Sequence, residues 1–257
     1  MGARIQWRFG LSRINAGNSL RAYQGLQILT RARVLEVIVT SLHDAVEAQA
    51  GGADRLEVVR ELEHGGLTPD VDLVREIAAT VNIPLRVMLR ENTSMQLGGD
   101  DELRQLCRSA KQLADLNIEG LVAGFIKNDR VDTATLRVLA HAAPLLKITF
   151  HRAFDELTDQ LQAIRILKTI PQVDRILTIG GHGSWPERKL RLHQWQQAGE
   201  PEITILAGGG VLTAVIADLR HDERISEVHI GRAARVPQET GGQVSRVQVA
   251  QLKGLSA

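Results

Sequence analysis

The sequence predicts a single (β/α)₈ TIM barrel, and three observations carry the prediction. From residue 34 onward short β-branched runs alternate with longer segments whose apolar residues recur at helical spacing. There are eight runs, and most start 20 to 35 residues after the one before, the length of one βα unit. Several runs also carry a polar residue near the C-terminal end, where a barrel gathers its strand ends around one mouth. An open doubly wound sheet would alternate in the same way, but a count of eight favours closure. The chain has 257 residues, a common size for a one-domain barrel.

The strands are expected at 35–39 (LEVIV), 55–59 (RLEVV), 85–89 (LRVML), 120–126 (GLVAGFI), 147–151 (KITFH), 175–180 (RILTIG), 203–208 (ITILAG) and 227–231 (EVHIG). The first helix, 41–52, opens on a Ser cap and ends in Gly. The second, 68–81, has Thr at its cap and Pro in its first turn. The third, 100–117, places acids at its positive end. Further helices are expected at 132–143, 158–170, 186–199, 211–222 and 242–254. The barrel should therefore occupy residues 34–257, after a basic arm at 1–33.

Composition narrows the function classes. Aromatic residues are only 3%, so the core must be built from Val, Ile, Leu and Ala, the residues a packed barrel interior uses. Residues 1–33 hold six arginines and no acid, which leaves 25 basic and 30 acidic side chains in the body. An acidic body argues against nucleic-acid binding. The arm has the bias of an organelle transit peptide; a disordered arm or a start placed too far upstream are the plainer readings and are favoured. No run is long and apolar enough for a membrane span, and the N-terminus has no secretory h-region. One cysteine, Cys107, excludes an intrachain disulfide and fits a reducing compartment, so the expected location is cytoplasmic. Cys107 falls in a helical pattern and reads as a small apolar residue.

Candidate chemistry lies near the strand ends. Glu36 shares a face with Ile38, and Glu57 with Val59; if both faces point inward, two carboxylates enter one cavity. Such a pair suits acid–base work or a metal, or forms internal struts with arginines. Arg90 offers a planar fork to an anion, or neutralises Glu57. In TFHRAFD, His151 can exchange a proton near neutrality, Arg152 can bind an anion, and Asp155 can orient the histidine or act as a base. The alternative is a His–Asp bond that ties down the loop. The loop Gly208-Gly209-Gly210, running into a helix, and Arg232 after the last strand stand where barrels often hold phosphate. No lysine ends an inward strand, which argues against a Schiff-base aldolase, and no GxSxG, HExxH or Walker pattern occurs. His182 and His229 form no recognised ligand spacing and read as ordinary loop or strand histidines.

AGGADRLE (50–57), GGLTPD (65–70), TFHRAFD (149–155), DRILT (174–178) and AGGG (207–210) together resemble the copper homeostasis protein CutC family, over about residues 34–235. The resemblance implies a cytoplasmic, often oligomeric TIM barrel with a polar pocket at its mouth, and an association with copper. It carries pocket roles to Glu36, Glu57, Arg90, His151, Arg152 and Asp155. There are departures. Val58 and Val59 stand where the family usually has a cysteine, and Glu91-Asn92-Thr93 where it has a second arginine. Ile230-Gly231-Arg232-Ala233 replaces a Ser-Ser-Ala-Arg run. Cu(I) prefers thiolate and thioether ligands, and Cys107, Met88 and Met95 are a thin supply. Copper is thus a cofactor by resemblance only, and no metal ligands are assigned. Three readings stay open: a copper-handling protein, an isomerase, lyase or hydrolase acting on a small anionic metabolite, and an inactive barrel that serves as an assembly partner.

Overall fold

Alternation along each strand decides which side chains meet the helices and which enter the barrel. The computed structural model describes residues 33–256 apart from positions 211, 212 and 220. The expectations for the basic arm, save Arg33, lie outside the described residues. So does the start of the helix predicted from 211.

The strands are β1 (Val34–Val39), β2 (Arg55–Val58), β3 (Leu85–Met88), β4 (Gly120–Val122), β5 (Ile126–Lys127), β6 (Arg130–Val131), β7 (Lys147–Phe150), β8 (Val173–Thr178), β9 (Thr204–Ala207), β10 (Glu227–Ile230), β11 (Arg235–Val236) and β12 (Gln243–Val244). The helices are α1 (Leu42–Ala50), α2 (Val71–Thr80), α3 (Asp100–Ala114), α4 (Thr133–Ala142), α5 (Gln160–Leu167), α6 (Trp185–Gly199), α7 (Thr213–Leu219) and α8 (Arg246–Ser256). Eight parallel strands close in the order β1-β10-β9-β8-β7-β4-β3-β2, with β1 pairing both β10 and β2. The predicted TIM barrel is the fold.

Three element boundaries are corrected. The fourth strand stops at Val122, and Ile126 instead starts a short antiparallel hairpin of β5 with β6. The second helix is capped by Asp70, which accepts from Asp72 N–H, and not by Thr68. Thr68 ties itself to the end of β3: its hydroxyl accepts from Arg90 N–H at 2.9 Å and lies 3.0 Å from the Arg90 carbonyl. The last helix begins at Arg246, because Gln243 and Val244 pair with Val236 and Arg235 as a hairpin.

The aliphatic core lies between sheet and helices. Leu35, Val37 and Val39 of β1, Leu56 and Val58 of β2, and Val87 of β3 are buried against Ala45, Ala48, Val74 and Ile77. Each such Val, Leu or Ile side chain contributes roughly 1.5–3 kcal/mol by leaving water. Cys107 is half-buried on α3, packed against this layer.

The lower half of the barrel interior departs from expectation: it is ionic, not aliphatic. Arg55 bridges Glu36 and Glu227, the latter at 2.6 Å. Arg175 joins Glu227 at 2.8 Å and Asp174 at 2.5 Å. Arg86, fully buried, grips both Asp174 oxygens at 3.0 and 2.8 Å and Glu119 at 2.8 Å. Gly120 makes room for it, since a Cβ there would stand 2.8 Å from Arg86 Nη1 and 2.4 Å from the Lys147 carbonyl. Paired arginine forks satisfy carboxylates that burial would otherwise neutralise.

Candidate functional site

Above that ionic layer the barrel opens into a cavity of about 510 Å³ at the C-terminal strand ends. Its floor holds three ionisable side chains in contact. His229 Nδ1 lies 2.7 Å from Glu36 and Nε2 3.2 Å from Glu57, so one imidazole spans two carboxylates. Strand register brings them together: Glu36 is level with His229 on β10, and Glu57 is level with Ile38 on β1. All three are buried.

Their charges diverge. Burial would raise the Glu36 pKa, but Arg55 and His229 outweigh it and hold the carboxyl well below its usual range. Burial pushes Glu57 up to about 7, against the pull of His229 and with a push from Glu36. Burial would lower His229, yet its two carboxylates raise it. Only Glu57 and His229 line the cavity; Glu36 lies beneath and steadies His229 from below. The expected pair of carboxylates is thus present, but one faces the ligand space and the other does not. His229, expected to be an ordinary strand histidine, is the link between them. The signal was in the alternation of EVHI, which puts Glu227 and His229 on one inward face.

Arg90 and His151 form a wall. Arg90 Nη2 donates to the His64 carbonyl at 2.9 Å, and Nη1 stands 3.5 Å from the Met95 sulfur. Burial lowers its pKa while the Glu57 charge supports it. His151 closes β7 and caps the 3₁₀ turn Arg152–Glu156 by accepting from Ala153 N–H at 3.1 Å. Burial, then Arg90, lowers its pKa to about 3. Burial and the nearby Arg90 charge favour the neutral imidazole, which runs against the expectation that His151 exchanges protons near neutral pH.

Asp155 is corrected too. It hydrogen-bonds Thr178 Oγ1, Ile179 N–H at 3.3 Å and Arg152 Nε at 3.2 Å, fastens the turn to β8, and is neither among the cavity lining nor among the hydrogen-bond partners of His151. Arg152 and Arg232 reach the rim beside Gly209 and Gly210, which line it at φ +74° and +82°. Gly208 sits below them for packing: a Cβ there would meet Leu177 Cδ1 at 2.5 Å and His229 Cβ at 3.0 Å.

Glu36, Glu57 and His229 offer donor atoms within 4.8 Å of one another, the one such cluster found among the described residues. Each donor already serves its neighbour, and a cation there would have to displace the His229 proton. Sulfur in the cavity comes from the Met88 and Met95 thioethers, the latter beside the Arg90 cation. Cys107 is not among the lining residues. This donor set does not fit a thiolate-type Cu(I) centre.

A family model described as CutC family matches residues 33–234. The chain belongs to the CutC family. A CutC family protein of Mesorhizobium japonicum is 34% identical over 210 residues, 81% of each chain. The human copper homeostasis protein cutC homolog is 30% identical over 225 residues, 87% of this chain and 81% of that one. A crystal structure of CutC from Streptococcus agalactiae superposes with a TM-score of 0.71 at 24% identity, covering 77% of this chain and 98% of that one. A monomeric phosphoribosylanthranilate isomerase of Thermotoga maritima matches with a TM-score of 0.58 at 10% identity over 88% of this chain and 98% of that one, a likeness of fold alone.

Proposed function

We propose that this CutC family member serves copper homeostasis, and that its molecular work is an acid–base reaction on a small anionic metabolite at the barrel mouth. Family membership, together with the name borne by the human relative, supports the copper role. One observation carries the chemistry: Glu57 faces the cavity with a pKa near neutrality, backed by His229 and Glu36. A group poised there can both take and give a proton at physiological pH. Arg90, Arg152 and Arg232 supply positive charge around the same space.

A role in copper homeostasis does not require a resident copper ion, and the donor set argues against one. Copper titration of the untagged protein against competing chelators should show no stoichiometric site tighter than micromolar. Stoichiometric binding tighter than that would replace this reading with direct copper handling. Mass spectrometry of the same preparation should find a co-purified anion that is lost from an Arg152→Ala/Arg232→Ala variant. An empty wild-type cavity would count against the metabolite reading.

We further place the protein in the cytoplasm as a homo-oligomer. The single cysteine suits a reducing compartment. No described helix is long and apolar enough to cross a membrane. Sedimentation tests the assembly state.

A further inference from the structure

Two residues that line the cavity, Arg90 and His151, each hold a buried hydrogen-bond donor that lacks an acceptor among the described residues. His151 Nδ1 accepts from Ala153 N–H, which assigns the ring proton of the neutral imidazole to Nε2. That Nε2 is buried and has no hydrogen-bond partner among the described residues. Arg90 Nε is in the same condition, although the other arm of its guanidinium is held by the His64 carbonyl. Buried donors are rarely left unmatched, and each unmatched one is costly. The ring is seated deliberately close to the backbone: a Cβ on Gly124 would come within 2.7 Å of Nδ1. Two such donors on residues that line one cavity would be matched by an oxygen acceptor supplied from outside. Glu57 lines the same space.

We propose that His151 Nε2–H and Arg90 Nε–H bind the carbonyl oxygen of a small α-hydroxycarbonyl compound with an anionic tail, and that Glu57 removes the proton from the adjacent carbon. This rests on the acid–base reading above and names its reaction: isomerisation through an enediol. The carbon–hydrogen bond breaks, and its electron pair becomes the new carbon–carbon double bond. The carbonyl pair moves onto oxygen, where the two donors meet the growing charge. The Glu57 carboxylate gains the proton. The enediol hydroxyl proton passes to the former carbonyl oxygen, and Glu57 returns its proton to the former carbonyl carbon. The product is the isomeric α-hydroxycarbonyl compound, with no oxidant or reductant consumed. A neutral imidazole suits this task, since it donates to the oxygen without surrendering its proton. Arg152 and Arg232, at the rim by Gly209 and Gly210, would hold the tail.

Two measurements test this. The first incubates the full chain in D₂O with dihydroxyacetone phosphate, ribulose 5-phosphate and fructose 6-phosphate, and follows the α carbon–hydrogen signals by proton NMR. At least one should exchange. Glu57→Gln should abolish the exchange, and His151→Ala should lower kcat about 100-fold with little change in KM. His151→Gln keeps a side-chain N–H and should recover part of the loss. No exchange with any of the three, or a wild-type rate in His151→Ala, overturns the proposal. The second needs no substrate: ¹⁵N NMR should show His151 protonated at Nε2 alone from pH 5 to 8. A cationic ring or an Nδ1–H tautomer overturns it as well. A retained anion without exchange ends the enediol step alone, whereas loss of both ends the acid–base reading too.

Discussion

His151 is the residue whose behaviour departs most from its ordinary chemistry, and its neutrality has a thermodynamic consequence. Its folded pKa of about 3 lies below the usual 6.5. The unfolded chain therefore binds a proton between those values that the folded chain refuses. Stability contributed by this group is full above pH 6.5 and is lost as pH falls toward 3, by at most about 1.4 kcal/mol per pH unit. Glu57 has the opposite sign, because its folded pKa is raised to about 7: its contribution is full below pH 4.5 and is lost as pH rises to 7. We expect His151→Gln to flatten the acid limb of stability between pH 6.5 and 4, in urea unfolding curves at fixed pH steps. An unchanged slope would mean that the histidine is protonated in the fold. Much of this residue-level picture was legible in the sequence. Glu36, Glu57, Arg90 and His151 stand out as polar residues in or just beyond strand runs, and strand alternation pairs the two glutamates. The role of His229 was not evident, because a lone histidine has no ligand spacing to announce it; only closure of the barrel brings β10 beside β1. Asp155 misled for the converse reason: nearness in sequence to His151 suggested a pair that the 3₁₀ turn points apart.

At the scale of elements, α1 and the hairpin of β11 with β12 are joined through one buried carboxylate. Asp44 accepts from Val244 N–H at 2.9 Å, from Thr40 Oγ1 at 3.0 Å, and pairs with Arg235 Nη2 at 3.0 Å. Arg235 is itself fully buried and donates to the carbonyls of Gly242 and Ile38. Asp44→Ala would leave that guanidinium without its counter-charge, at a cost of about 3–5 kcal/mol. Urea denaturation measures it; a loss below about 1 kcal/mol would show that water reaches Arg235. The hairpin also explains a sequence error. GQVSRVQVAQLKG carries helical spacing throughout, yet residues 243–244 answer to the hairpin partner at 235–236, a pairing that helical periodicity does not reveal. The eight barrel strands were legible because β-branched runs and turn residues act locally. Their ends were less so: GLVAGFI is apolar throughout, so nothing marks where β4 yields to the next hairpin.

Across the whole molecule, the sequence conveyed the barrel but not what fills it. Low aromatic content suggested an aliphatic interior, while Arg55, Arg86 and Arg175 instead meet Glu36, Glu119, Asp174 and Glu227 there. The aliphatic residues went to the layer beneath the helices, which is larger. Arg55 is the strut with both partners buried, so Arg55→Met should lower stability by about 3–5 kcal/mol. The loss should be nearly the same in low and in 1 M salt, because mobile ions screen buried pairs poorly. A loss that shrinks strongly in salt would place the network in contact with solvent. This layer has a further consequence for traffic through the protein. Among the described residues, paired forks stopper the barrel from below, which leaves the strand-end mouth as the door. Whatever enters past Arg152 and Arg232 must leave by the same way, so the group that sits deepest, against Glu57, arrives first and departs last.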